Sequence, residues 1–163
     1  MKYVDASVLL RVLFAQPGPS VSLARGAWVV SSRLLEVEAF GAVDRERLIG
    51  RLDDAEAAVK RKELTDLLAM VDLRAIDAAV IDRAKSAFIV NVRALDAIHV
   101  ATAEILAVEA DSEPLEFWTH DERQATAALS RGLTVRGRGD AAPSPDAGGD
   151  DSAAARAKGT GIE

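Results

Sequence analysis

Short apolar runs alternate along the chain with longer stretches whose apolar residues recur at helical spacing. Tyr3-Val4 opens as a strand, and a helix is predicted over 7–14. Pro17-Gly18-Pro19 breaks the chain, and Ser20 is placed to cap a short helix over 20–25. Trp28-Val29-Val30 is rich in strand formers. From 32 to 49, Leu34, Leu35, Val37, Phe40, Val43 and Leu48 follow the helical period, and Gly50 is the expected stop. A more charged helix follows over 53–70, then a strand over 71–76, a helix capped by Asp77 to about 88, and a helix over 95–108. Phe117-Trp118-Thr119 predicts a strand, 122–131 a helix stopped by Gly132, and Leu133-Thr134-Val135 a closing strand.

Strands separated by helices imply an α/β fold: a central, mostly parallel sheet of four to five strands covered on both faces. In such sheets the functional crevice lies beyond the carboxyl ends of the strands. No internal repeat is visible. The pattern changes after Arg138, and 140–163 is Ala, Gly, Asp, Ser and Pro with Ile162 its only large apolar residue. Such a segment cannot bury enough surface to offset the entropy of ordering. The expected organisation is one domain over 1–138 and a disordered tail over 139–163.

Composition narrows the chemistry. The 163 residues include no cysteine, which excludes disulfides, thiolate metal sites and a cysteine nucleophile. No apolar run approaches the roughly 20 residues that span a bilayer. Asp5 stands where a signal peptide would remain apolar, so a cytoplasmic protein is expected. The net charge of -6 argues against a broad basic face for duplex DNA. Carboxylates gathered to hold a cation also make a chain acidic, and the ion then reverses the local field.

Four carboxylates carry the candidate chemistry. Asp5 follows the first strand, next to Ser7, and the competing reading makes it a helix cap. Glu38 lies on its helix between Leu34 and Leu35 on one side and Gly41 and Ala42 on the other, where a carboxylate needs a cation or a donor. Glu36 points about 160° away. Asp96 opens the run Leu95-Asp96-Ala97-Ile98-His99-Val100-Ala101, where a simple N-cap is the competing reading. Asp121, with Gln124 three residues on, also fits a capping box. Clustered carboxylates repel one another unless a hard cation joins them, and oxygen ligands favour Mg²⁺ or Mn²⁺ over zinc. The chemistry such a site performs best is metal-assisted attack of water on a phosphodiester.

The segments Tyr3-Val4-Asp5-Ala6-Ser7-Val8, Ser32-Arg33-Leu34-Leu35-Glu36-Val37-Glu38, Arg93-Ala94-Leu95-Asp96-Ala97-Ile98-His99-Val100-Ala101 and Thr119-His120-Asp121-Glu122-Arg123 resemble the successive motifs of VapC-type PIN-domain nucleases. The likeness spans about 1–136. It implies an α/β/α sandwich and a ribonuclease toxin that binds Mg²⁺ or Mn²⁺ through Asp5, Glu38, Asp96 and Asp121. Thr119 matches a hydroxyl residue that helps hold the metal or its water. The resemblance also implies cleavage of a tRNA, rRNA or mRNA site with arrest of translation, homodimers, and a VapB-type antitoxin partner. Arg33 and Arg93 are placed to contact phosphates or balance the acids, or else are ordinary surface arginines.

Other classes fit less well. Of the two histidines, His99 lies in an apolar helical stretch, where a packed or supporting role suits it better than general base. A receiver domain needs an acidic pair near the first strand's end, and haloacid-dehalogenase phosphatases need an aspartate where Ser7 stands. No Gly-rich phosphate loop occurs. The alternative from another class is a PIN module that binds RNA or a protein partner without cutting.

Overall fold

The computed structural model describes residues 1–19, 21–23, 27–110 and 113–137. The proposed tail over 139–163 lies outside the described residues. The elements are β1 (Lys2–Val4), α1 (Ala6–Leu13), β2 (Val29–Ser32), α2 (Leu34–Leu48), α3 (Asp54–Leu68), β3 (Asp72–Arg74), α4 (Ala78–Ala84), α5 (Ala94–Glu109), β4 (Glu116–Trp118), α6 (Glu122–Ser130) and β5 (Thr134–Arg136). All four strand pairings are parallel, in the order β3-β2-β1-β4-β5.

Alternation of side chains along each strand divides the core into two layers. Val4 and Val29 face a cluster with Val8, Leu9, Leu35, Ala39, Val43 and Leu64 from α1, α2 and α3. Tyr3, Val30 and Phe117 face the opposite cluster, with Val100 and Ala103 from α5 and Ala127 and Ala128 from α6. The small residues of α5 let that helix lie close to the sheet, and Ala97, Val100, Ala101, Thr102 and Ala103 are all buried. The result is a sheet with helices on both faces.

Local signals account for most boundaries. Asp53 and Glu56 close a capping box on α3, and the Asp77 side chain caps α4 through the Val80 amide. Other boundaries differ from the hydrophobic pattern. The strand read at 28–30 extends through Ser31 and Ser32, both fully buried, and α2 starts at Leu34 instead of 32. The Ser31 hydroxyl donates to the Val4 carbonyl at 2.6 Å, so a polar residue is satisfied inside the sheet. Helix α4 stops at Ala84, short of 88, where the Ser86 hydroxyl takes the Arg83 carbonyl. The short helix expected over 20–25 is absent from 21–23, where Val21 is buried in the first core cluster; Ser20 and 24–26 lie outside the described residues.

Strand order sets where a site can form. Successive strands β1, β2 and β3 step to one side, and β4 and β5 continue on the other side of β1. The order therefore reverses between β1 and β4, and the crevice of such a sheet opens at the carboxyl ends of those two strands.

Candidate active site

Asp5 leaves the end of β1 at that reversal point and is itself the N-cap of α1. Its Oδ1 accepts from the Ser7 hydroxyl at 2.6 Å and the Val8 amide at 3.1 Å, and its Oδ2 accepts from the Thr119 hydroxyl at 2.6 Å. The residue is only 4% exposed. Burial raises its pKa, against the opposing pull of the Ser7 and Thr119 hydroxyls. Asp5 thus caps α1 with one oxygen and bonds across to Thr119 with the other, and Ser7 supports Asp5 instead of capping the helix.

Thr119 is the hub across the crevice. It is fully buried at the end of β4, and its Oγ1 accepts the Asp121 amide at 3.0 Å. The hydroxyl proton is shared between Asp5 Oδ2 and Gln124 Oε1 at 3.0 Å, with the shorter bond to the carboxylate taking the larger share. Asp121 caps α6 through Oδ1, which accepts from the Arg123 and Gln124 amides at 2.8 and 3.2 Å. The capping box expected there is not closed, because the Gln124 side chain turns inward to Thr119 and is 2% exposed. We expect Thr119→Val to lower unfolding free energy by about 1–3 kcal/mol, since it strands Asp5 Oδ2 and the Asp121 amide. Thr119→Ser should stay near the parent in urea unfolding. Equal stability of the two variants would remove Thr119 from this role.

Asp96 is not an N-cap. The cap of α5 is Arg93, whose side chain makes no capping bond, and Asp96 lies in the first turn. Its Oδ2 is buried with no hydrogen-bond partner. Burial raises the Asp96 pKa, the nearby Asp121 and Glu38 charges add to that, and the Arg93 amide and guanidinium oppose it. The Arg93 guanidinium thus offsets the Asp96 charge. Arg33 does not: it is exposed and pairs with Glu36 at 2.9 Å.

Glu38 reaches the same end of the sheet from α2. Its Oε2 lies 2.8 Å from His99 Nε2. His99 is 1% exposed, and its Nδ1 lies 2.8 Å from the Tyr3 hydroxyl. Burial pushes the Tyr3 phenol above its ordinary range, so it keeps its proton and donates to Nδ1. The Ser32 amide donates to the same phenol oxygen at 3.2 Å. With Nδ1 an acceptor, the imidazole proton sits on Nε2 and is given to Glu38. Tyr3 and Gln124 had no signal as site residues in the chain; Ser32 stood out only as the serine that opens the second family motif, and the odd placement of His99 in an apolar stretch hinted at a supporting role.

The structure therefore brings Asp5, Thr119 and Asp121 together in one hydrogen-bonded network and sets Asp96 within electrostatic reach of Asp121 and Glu38. Among the described residues, no three such acids or histidines converge closely enough to hold an ion as they stand. Two features nevertheless suit a hard divalent cation: the orphaned buried Oδ2 of Asp96 and an all-oxygen carboxylate set.

A PIN domain model matches residues 2–129, and the chain belongs to the PIN-domain family. A relative, ribonuclease VapC46 of Mycobacterium tuberculosis, is 33% identical over 137 residues, which is 82% of this chain and 94% of that protein. Within the PIN family the chain thus falls with the VapC-type members. The crystal structure of PAE2754 from Pyrobaculum aerophilum shares the fold, with a TM-score of 0.53 and 17% identity over 82% of this chain and 87% of that one.

Proposed function

We propose that the chain is a divalent-metal-dependent endoribonuclease and the toxin of a VapBC-type pair, using Mg²⁺ or Mn²⁺. The observation that carries this reading is the set of acids at the β1–β4 reversal, with Asp96 Oδ2 buried and unpartnered among like charges. The likeness to ribonuclease VapC46 supports it.

In this reading Asp5, Asp96 and Asp121 hold the ion, with Glu38 beside them. Held there, an ion would acidify a water and relieve charge on the phosphoryl oxygens. Ser7 and Thr119 fix the direction of the Asp5 carboxylate from both sides. Glu38 is held at Oε2 by His99, which leaves its other oxygen to orient the attacking water and take its proton. Water attacks phosphorus, the bond to the 3′ oxygen breaks, that oxygen takes a proton from solvent, and the products carry 5′-phosphate and 3′-hydroxyl ends. Arg93 offsets the acids and is placed to meet a phosphate. A tRNA, rRNA or mRNA target, a VapB-type antitoxin, a homodimer and a cytoplasmic site of action are proposed on the same family likeness. No helix among the described residues is long and apolar enough to cross a membrane.

The test is cleavage of total cellular RNA by antitoxin-free protein, with and without Mg²⁺ or Mn²⁺, with end mapping of the fragments. Discrete metal-dependent fragments with 5′-phosphates are expected. RNA bound without new ends would favour a silent binding module, and fragments that persist in EDTA would end the metal mechanism.

A further inference from the structure

A groove of about 400 Å³ lies between α1 and the last turns of α2, lined by Ser7, Arg11, Arg45, Glu46, Arg51 and His120 among others. Three arginines and one acid give it a positive balance in a chain whose net charge is -6. Its one acid pairs with one of these arginines, since Glu46 accepts from Arg51 Nη1 at 3.2 Å, and Arg11 Nη1 donates to the Pro17 carbonyl. Arg45 is exposed and has no side-chain partner among the described residues. Two polar atoms at the groove are buried without partners: Arg11 Nε and His120 Nε2.

The groove is joined to the acids by a single side chain. Ser7 lines it, donates to Asp5 Oδ1 and accepts the His120 amide at 2.8 Å. Because Ser7 touches both, an RNA strand with one phosphodiester at the carboxylates can lay a neighbouring phosphate in the groove. An acidic protein repels that strand except where local cations meet it. Arginine is the side chain suited to a phosphate's paired oxygens.

We propose that this groove seats RNA backbone phosphates flanking the scissile bond, with Arg11, Arg45 and Arg51 as their contacts. The proposal deepens the nuclease reading and rests on it for the position of the scissile phosphate. Because Arg45 and Arg51 are exposed, their replacement leaves the core intact.

The experiment compares the full chain with Arg45→Glu, Arg51→Glu and the milder Arg45→Ala, with melting temperatures as the check on folding. Binding of a short single-stranded RNA is measured in Ca²⁺ over a series of salt concentrations. Hydrolysis of bis(p-nitrophenyl) phosphate, which carries no flanking phosphate, is measured in Mn²⁺. Each charge reversal should weaken RNA binding about tenfold, and each lost phosphate contact should flatten the dependence of log affinity on log salt by about 0.7. Small-diester hydrolysis should not change. Parent-like RNA affinity and salt slope in all variants would overturn the groove while leaving the nuclease intact. Loss of RNA affinity in the variants with no diester hydrolysis by any protein would uphold the groove and sink the nuclease. If the reversals weakened binding of a poly-glutamate peptide and not of RNA, the groove would belong to a protein partner and the proposal would fall.

Discussion

Asp96→Asn should abolish metal-dependent RNA cleavage while making the metal-free protein melt at a higher temperature. The two effects share one cause. The Asp96 carboxylate has a buried oxygen with no partner and stands near the Asp121 and Glu38 charges. In the metal-free protein that arrangement is unfavourable, since desolvation and like charges both oppose ionisation. An amide of nearly the same shape removes the repulsion, and each kcal/mol recovered should raise the melting temperature by about 2–4 °C in a chain of this size. With Mg²⁺ or Mn²⁺ present the sign inverts: the parent should gain stability from the ion and the variant much less. Cleavage should fall by more than the roughly 10–100-fold that loss of a supporting contact to a metal site costs. The pH dependence follows from the same shifts. The pKa values of Asp5 and Asp96 are raised by folding, so the folded state binds protons more tightly than the unfolded one. Their contribution is present below the ordinary carboxylate pKa and is lost as pH climbs through the raised value. Asp96→Asn should therefore flatten the metal-free stability profile over that window. A variant that melts below the parent without metal, or that gains as much from Mg²⁺, would remove Asp96 from the ion site.

Much of the architecture was legible because its causes are local. Tyr3 and Val4, or Val29 and Val30, are adjacent apolar residues that a strand must send to opposite faces, which already requires cover on both sides of the sheet. Asp53 with Glu56, and Asp77, announce helix starts by side-chain chemistry within one turn. What escaped depends on partners far along the chain. Ser32 read as a helix start and Ser31 as lying beyond the strand, yet a carbonyl 27 residues from Ser31 and a phenol 29 residues from Ser32 admit them to the sheet. The four acids stood out by their placement; of the groups that aim them, Thr119 was named only through the family likeness, and Tyr3 and Gln124 were not seen. Gln124 looked like the far end of a capping box, and only the fold shows that Thr119 draws it inward. The arginines of the groove come from α1, from α2 and from the turn after it, and each alone reads as a cation near a helix C-terminus, a place cations favour anyway.

The imidazole of His99 offers the second large effect. From α5 it joins two other elements, accepting from the Tyr3 phenol 96 residues away and donating to Glu38 Oε2 61 residues away. Removing it has two separable consequences. The Tyr3 hydroxyl loses its acceptor inside the core, which should cost about 1–3 kcal/mol of stability. Glu38, one-quarter exposed at its side chain, loses the donor that fixes its rotamer, so its free oxygen no longer has one direction. By the usual cost of losing a group that orients a metal-site residue, His99→Ala should reduce kcat about 10–100-fold, with KM for RNA little changed. His99→Gln separates orientation from packing. Its amide nitrogen can stand near the place of Nε2 and donate to Glu38, although the Tyr3 contact is altered. Single-turnover cleavage by His99→Gln should recover most of the parent rate even where its melting temperature remains low. Equal loss of rate in both variants, following their loss of stability, would reduce His99 to a packing residue. Recovery with glutamine and not with alanine would make the bond to Glu38 the quantity that catalysis depends on.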